Sequence, residues 1–329
     1  MAQIRHKFAV LALSAGVASL FGAAPVTAAE YPEQPIRVIV PFAPGGSTDI
    51  VTRIVTQRMG QELGQTMVVE NKGGAGGAIG AAEGARAKPD GYTLSIGSVS
   101  TLAVLPACRP TDLPYDALAD FVPVTNFANV PNVIEVNPKF PAKDFKEFVK
   151  VLKANPGKYS HGSSGTCSVL HLFGEAFKLA TGTDAVHIPY KGSGPAVTDA
   201  VGGQIEILFD NLPSSMSQIQ AGNLRPLAVA WPTRLESLKD VPTLAEEGYP
   251  QLNQPAWYGL LAPKGTSPEI VKKLHSAAVV ALKDPKVIEA LEKQGAVPSG
   301  NTPEEYATEI KTQFDWAKDV VAKGNIVLE

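Results

Sequence analysis

Beyond residue 29 the chain has no apolar run approaching the roughly 20 residues that a membrane-spanning helix needs, so its body is not that of a helical membrane protein. It also lacks an excess of either charge: 29 Lys and Arg face 32 Asp and Glu, for a formal net charge of −3. That balance gives no electrostatic footprint for nucleic acid or an anionic membrane, which leaves small molecules and proteins as partners. Hydrolase signatures are missing. There is no Gly-x-Ser-x-Gly elbow, no Ser-x-x-Lys and no His-Glu-x-x-His, and the polar loops show no nucleophile–base–orienter set. Cysteine is scarce. Cys108 and Cys167 can pair in an oxidising compartment, but they lie about 60 residues apart, and two free thiols is the plainer reading. Internal repeats and low-complexity linkers are absent too.

At the N-terminus, Arg5, His6 and Lys7 precede an apolar run from Phe8 to Phe21 and a small-residue stretch ending Val26-Thr27-Ala28-Ala29. This is the n-region, h-region and cleavage pattern of a secretory signal. Residues 1–28 are therefore expected to be removed, with no cysteine at the cleavage point to carry a lipid, giving a freely soluble exported protein. About 300 residues remain, near the size at which one hydrophobic core divides into two.

Strand and helix patterns alternate along that body. Ile36 to Val40, Thr66 to Glu70, Tyr92 to Ile96, Ala185 to Ile188, Ile205 to Phe209 and Leu227 to Ala230 read as strands. Helical spacing recurs at Phe145, Phe148, Val149 and Leu152, and again at Tyr306, Ile310, Phe314, Ala317 and Val321. The alternation predicts parallel sheets covered by helices on both faces. Phe121 to Val136 reads as the first crossing between lobes and Leu224 to Ala230 as the return. The expected division is 29–126 with 229–329 for one lobe and 127–228 for the other.

Two loops carry the chemistry. Pro41 to Gly46 ends a strand and opens a helix at Ser47, Thr48 and Asp49, and His161 to Ser168 opens another apolar helix. A helix N-terminus presents unpaired N–H groups and the positive end of the helix dipole, so each loop is a candidate anion cradle. Gly45 and Gly46 let the backbone approach a ligand closely, and Ser47 and Thr48 add hydroxyls. Asp49 either caps its own helix or reaches the ligand through water. Neither loop contains Arg or Lys. The Gly73 to Gly84 segment follows a strand as a dinucleotide fingerprint would, but the third glycine of that frame is missing, and it reads as a turn and helix-packing element. Cys167 and His171, at i and i+4, have no third or fourth ligand nearby, so neither a metal nor a cofactor is expected.

The segments Pro41-Phe42-Ala43-Pro44-Gly45-Gly46-Ser47-Thr48-Asp49, Lys88-Pro89-Asp90-Gly91-Tyr92-Thr93-Leu94, His187-Ile188-Pro189-Tyr190-Lys191-Gly192, Phe209-Asp210-Asn211-Leu212-Pro213-Ser214 and Trp257-Tyr258-Gly259-Leu260-Leu261-Ala262-Pro263 occur in this order. With them, the chain closely resembles the periplasmic solute-binding proteins of the tripartite tricarboxylate transporter family, also called the Bug family, over essentially its whole mature length. The resemblance implies an α/β fold of the two-lobed periplasmic-binding-protein type (type II-like, Venus flytrap). It implies a monomer, not an enzyme, that closes on a small carboxylate in the cleft and delivers it to membrane permease subunits. Dicarboxylates, tricarboxylates, acidic amino acids and aromatic carboxylates all remain open. It aligns Gly165, Thr166, Ser168 and His171 with the family's second loop, where members often have Gly in place of Cys167. The candidate ligand-binding set is Phe42, Ala43, Gly45, Gly46, Ser47, Thr48, Asp49, Ser98, Ser164, Thr166, Ser168, His171, Tyr190, Lys191, Gly192 and Asp210. Two other readings stand beside it: a periplasmic ligand-sensing adaptor for a sensor kinase, and a secreted hydrolase.

Overall fold

The computed structural model describes residues 31–324; the expected signal sequence lies outside the described residues. In chain order come β1 (Ile36–Val40), α1 (Ser47–Leu63), β2 (Met67–Asn71), α2 (Ala78–Ala85) and β3 (Thr93–Ser98). A π-helical turn at Ser100–Val104 then runs into α3 (Leu105–Cys108). The chain passes through β4 (Phe121–Val130) and β5 (Asn132–Val136), then α4 (Phe145–Ala154), β6 (Ser160–Ser163), α5 (Val169–Thr181) and β7 (Val186–Pro189). After α6 (Ser193–Gly202), β8 (Ile207–Asn211), α7 (Leu212–Gln220) and β9 (Arg225–Ala230), a long loop leads to β10 (Ala256–Pro263). The chain closes with α8 (Pro268–Leu282), α9 (Pro285–Lys293), β11 (Val297–Pro298) and α10 (Pro303–Gly324).

These strands form two sheets, one per lobe, ordered β11-β4-β10-β3-β1-β2 and β7-β6-β8-β5-β9. The sheets are mixed, which corrects the all-parallel expectation. β1 pairs in parallel with β2 and β3, but β10 inserts antiparallel between β3 and β4. A strand arriving from far down the sequence leaves no mark on local alternation. All eight residues of β10 are buried, as suits a strand covered on both faces.

The first crossing is as sharp as a chain allows: β4 ends at Val130 in one sheet, and β5 starts at Asn132 in the other. Pro131 between them has no N–H for either ladder. The return differs from the expectation. β9 stays in the second sheet, and Leu235, Val241, Leu244 and Leu252 of the following loop pack into second-lobe clusters, so the chain recrosses only before β10.

Core positions follow the strand period. In the second lobe Ile134, Ile207 and Phe209 face α4 and α5, joining Phe145, Phe148 and Phe177. The opposite face, with Val133 and Leu208, is covered by α6 and α7. In the first lobe α1 is tied to α9 by Arg58, whose Nε lies 2.9 Å from Oδ2 of Asp284. Gly259 in β10 leaves the space that Tyr306 of α10 fills; a Cβ there would collide with the phenol and lie 2.6 Å from the Thr125 carbonyl oxygen. Gly259→Ala is expected to cost about 3 kcal/mol, the upper end of ordinary overpacking, read from urea midpoints.

Candidate functional site

The site is built where helices begin. β1 delivers the chain through a turn at Gly45, whose φ of +79° suits glycine, into α1. The N-cap residue of α1 is Gly46 and that of α6 is Gly192, and neither supplies a side-chain cap. By contrast α4, α5, α8 and α9 are capped by the side chains of Asp144, Ser168, Ser267 and Asp284. The α1 and α6 termini, which share the lack of a side-chain cap with α2, α3 and α7, meet head to head across the cleft: a Cβ on Gly46 would lie 3.4 Å from the Ser193 nitrogen and 3.5 Å from that of Gly194. Bringing two positive dipole ends together is unfavourable in itself, and an anion between them reverses the sign.

The lobes are closed on each other. Ala43 N–H donates to the Lys191 carbonyl (3.0 Å), Ser47 Oγ donates to the Asn211 carbonyl (2.7 Å) and Val169 N–H donates to Ser100 Oγ (2.9 Å). Tyr258 Oη, from the central strand of the first sheet, donates to Asn211 Oδ1 at 2.7 Å. The enclosed cavity is lined by Phe42, Gly46, Ser47, Thr48, Ser100, Ser164, Ser193, Asn211 and Tyr258 and measures about 10 Å3, room for about one water. No cation lines it.

Of the expected residues, Phe42, Gly46, Ser47, Thr48 and Ser164 line this cavity. Asp49 is buried and taken up within its own lobe: its carboxylate accepts from Gly45 N–H (3.0 Å), Arg53 Nε (2.9 Å) and Asn71 Nδ2 (3.0 Å). It braces the first cradle. Ala43 and Lys191 meet through their backbones, while the Lys191 side chain is exposed. Gly192 allows that approach, since a Cβ would lie 2.8 Å from the Ala43 nitrogen. Tyr190 turns to Asp199, with its Oη donating at 2.8 Å. Ser98 accepts from Thr101 N–H at 3.3 Å and shapes the π-helical turn.

The sequence reading puts the second cradle at the start of α5, and there the structure differs. Ser168 spends its Oγ on the His171 N–H (3.2 Å), Val169 N–H is given to Ser100, and the terminus opposing α1 is that of α6. Thr166 is half-buried, and Gly165 packs against Gly76. His171 lies below the loop, where its Nδ1 accepts from Cys167 N–H (3.3 Å) and its ring stacks on His187 at 3.7 Å between centroids. His187 Nε2 and Ser163 Oγ are 2.6 Å apart. Burial, then mutual repulsion, pushes His171 down to about 3, and burial pushes His187 down to about 4. Neutral imidazoles therefore hold both ends of the loop. Cys167 is disulfide-bonded to Cys108, with Cα atoms 6.1 Å apart, which corrects the free-thiol reading: closure brings together two residues that sequence separation keeps apart.

Asp210 does not line the cavity. It is fully buried on the face under α6 and α7, beside Glu135 of β5, and accepts from Ser214 Oγ. Burial raises Glu135 well above the carboxylate range and Asp210 to about 6, and the neighbouring Asp210 further disfavours ionisation of Glu135. Through Ser214, whose Oγ is 2.9 Å from Ser47 Oγ, Asp210 organises the pocket from behind. Ser100, Ser193, Asn211 and Tyr258 complete the lining and were not among the expected residues. Ser193 follows the Gly192 turn, and Asn211 and Tyr258 stand inside recognisable segments, so these three carried a signal. Ser100 carried none.

A family model described as the tripartite tricarboxylate transporter family receptor matches residues 51–326. The chain belongs to this family. The receptor is similar to protein BugT of Bordetella pertussis, 41% identical over 304 residues, covering 92% of this chain and 93% of that protein. It is also similar to a solved structure described as a periplasmic transporter, at 75% identity and a TM-score of 0.90, covering 91% of this chain and 100% of the other. MatC from Rhodopseudomonas palustris, solved with bound malate, is 32% identical with a TM-score of 0.84, covering 88% of this chain and 100% of its own. The family is one of receptors, and a further neighbour, BugD, at 36% identity and a TM-score of 0.85 and covering 90% of this chain and 99% of its own, is described as a periplasmic binding protein. Among the described residues no helix is long and apolar enough to cross a membrane, and no group of three or more His, Cys, Asp or Glu is placed to hold a metal.

Proposed function

We propose that this receptor is exported to the periplasm, closes its two lobes on a small carboxylate held between the starts of α1 and α6, and hands it to membrane permease subunits. The observation that carries the reading is the head-to-head meeting of two uncapped helix N-termini in a cavity without a side-chain cation. The malate bound by its relative MatC points to the same ligand class. Residues 32–130 with 256–324 form one moving body and 132–255 the other in this reading. Gly46, Ser47, Thr48, Ser164 and Ser193 supply the donors, and Phe42 and Tyr258 the walls.

A thermal-shift screen of mono-, di- and tricarboxylates, with malate included, run on the oxidised protein and on protein reduced with dithiothreitol, tests it. A ligand present at 100 times its Kd adds about 2.7 kcal/mol of stability, and the uncharged amide of the same compound should add far less. Charge-assisted hydrogen bonds are worth roughly 1.5–3 kcal/mol each, so Thr48→Ala and Ser164→Ala should weaken binding about tenfold or more. Lys191→Ala, on an exposed side chain, should change little. No shift from any carboxylate in the reduced protein, or equal affinity for acid and amide, would remove the anion cradle.

A further inference from the structure

We propose that the Cys108–Cys167 disulfide is a redox latch across the binding cleft, and that the lobes open only after a dithiol reductant has cut it. Cys108 ends α3 in the first lobe, and Cys167 sits in the β6–α5 loop of the second. They are the two cysteines of the chain. A disulfide holds its Cα atoms within about 7 Å, and here they are 6.1 Å apart. While the bond stands, the loop that carries Ser164 cannot swing away from α3. Around it the lobes are in backbone contact: Gly165 packs on Gly76, where a Cβ on Gly165 would come within 3.3 Å of the Gly76 backbone.

Cys167 is buried whereas Cys108 is half-buried, so an attacking thiolate reaches the bond from the first-lobe side. Reduction breaks one S–S bond and forms two S–H bonds; the two electrons and two protons come from the dithiol, which leaves as a disulfide. The reverse step needs both sulfurs in contact, which only the closed arrangement provides. Oxidation therefore traps whatever the cleft encloses, and reduction frees it. The physiological meaning rests on the carboxylate-receptor reading, but the latch itself does not.

The test uses the ligand-free chain. Hydrogen exchange at the amides of Ser47 to Asp49 and Ser193 to Gly194, with small-angle scattering alongside, is compared in three samples: oxidised protein, protein reduced with dithiothreitol and checked by thiol titration, and Cys108→Ser. The latch predicts at least tenfold faster exchange and a larger radius of gyration in the reduced protein and in Cys108→Ser, with unchanged far-ultraviolet circular dichroism. A cross-link of purely structural effect would lower Tm but leave ligand-free scattering and cleft exchange unchanged, and that result would overturn the proposal. Two titratable thiols in protein isolated under oxidising conditions would overturn it as well. Because dithiothreitol acts on the wild-type chain, a folding defect in Cys108→Ser would not obscure the answer, and a failed carboxylate screen would leave this one standing.

Discussion

In protein reduced with dithiothreitol, whose lobes are free to part, Gly194→Ala should abolish tight ligand binding while leaving the protein as stable as before, or more so. Gly194 lies in the first turn of α6, outside the positive-φ region, so alanine fits its backbone and is the better helix former by up to about 1 kcal/mol. In the closed arrangement, however, a Cβ there collides with the Pro44 carbonyl oxygen and approaches the Gly46 nitrogen to 3.3 Å. Both are backbone atoms of the opposite lobe and have no rotamer by which to move aside. An overpacking cost of about 3 kcal/mol, charged to closure alone, corresponds to about a 100-fold loss of affinity. Calorimetry with the carboxylate that gives the largest thermal shift, together with a ligand-free melt, reads both halves of the expectation. Wild-type affinity in Gly194→Ala would mean that the ligand is held by one lobe without closure, whereas a collapse of the melt would mean that the glycine serves the second lobe's own packing.

The second large effect concerns acid. His161 is wholly buried against Phe209 and the His187 ring, and both of its nitrogens lack a hydrogen-bond partner. Burial first, then repulsion from His187, Lys178 and His171, pushes it down to about 2, from the usual 6.5. Between those values the unfolded chain binds a proton that the folded chain refuses, so this contribution to stability is whole above about pH 6.5 and is lost as the pH falls. From pH 7 to pH 5 one such group withdraws about 2 kcal/mol. The buried Glu135 and Asp210 pair is shifted upward and titrates with the opposite sign, so the histidine effect must be read as a difference. His161→Leu removes the buried base at similar volume. Its stability relative to wild type, from urea unfolding, should improve by about 2 kcal/mol between pH 7 and pH 5. Parallel profiles would show that His161 is protonated in the fold.

Most of the architecture was legible because local signals reflect local causes. Ile36 to Val40 is a strand as read, and the Phe145 to Leu152 and Tyr306 to Val321 stripes are helices. What stayed hidden depends on contacts between distant parts of the chain. β10 inserts antiparallel between strands from a much earlier part of the sequence, and no window of residues contains that information. The return crossing was misplaced because Leu235 to Leu252 looks like any loop until its apolar residues are seen to fill the second lobe. In the site, Gly46 and Thr48 could be read from turn and cap chemistry. Asp49 and Asp210 could not be assigned a direction, since a carboxylate that braces a loop and one that meets a ligand look alike in sequence. Ser168 shows the same ambiguity: the hydroxyl that suits a ligand also suits the helix it begins, and here the helix takes it.

The meeting of Gly46 with Ser193 and Gly194 has a bearing on how such a receptor changes over generations. Amide groups are common to every residue except proline, so a grip made from them is inherited with the path of the chain and not with particular side chains. In the proposed seat, replacements at Phe42, Ser100 or Tyr258 would reshape the walls while the charged end of the ligand keeps its place. A duplicated copy can thus drift toward a new compound without first losing its hold on the old one, and the glycines that bring the two helices together are the positions where that freedom ends.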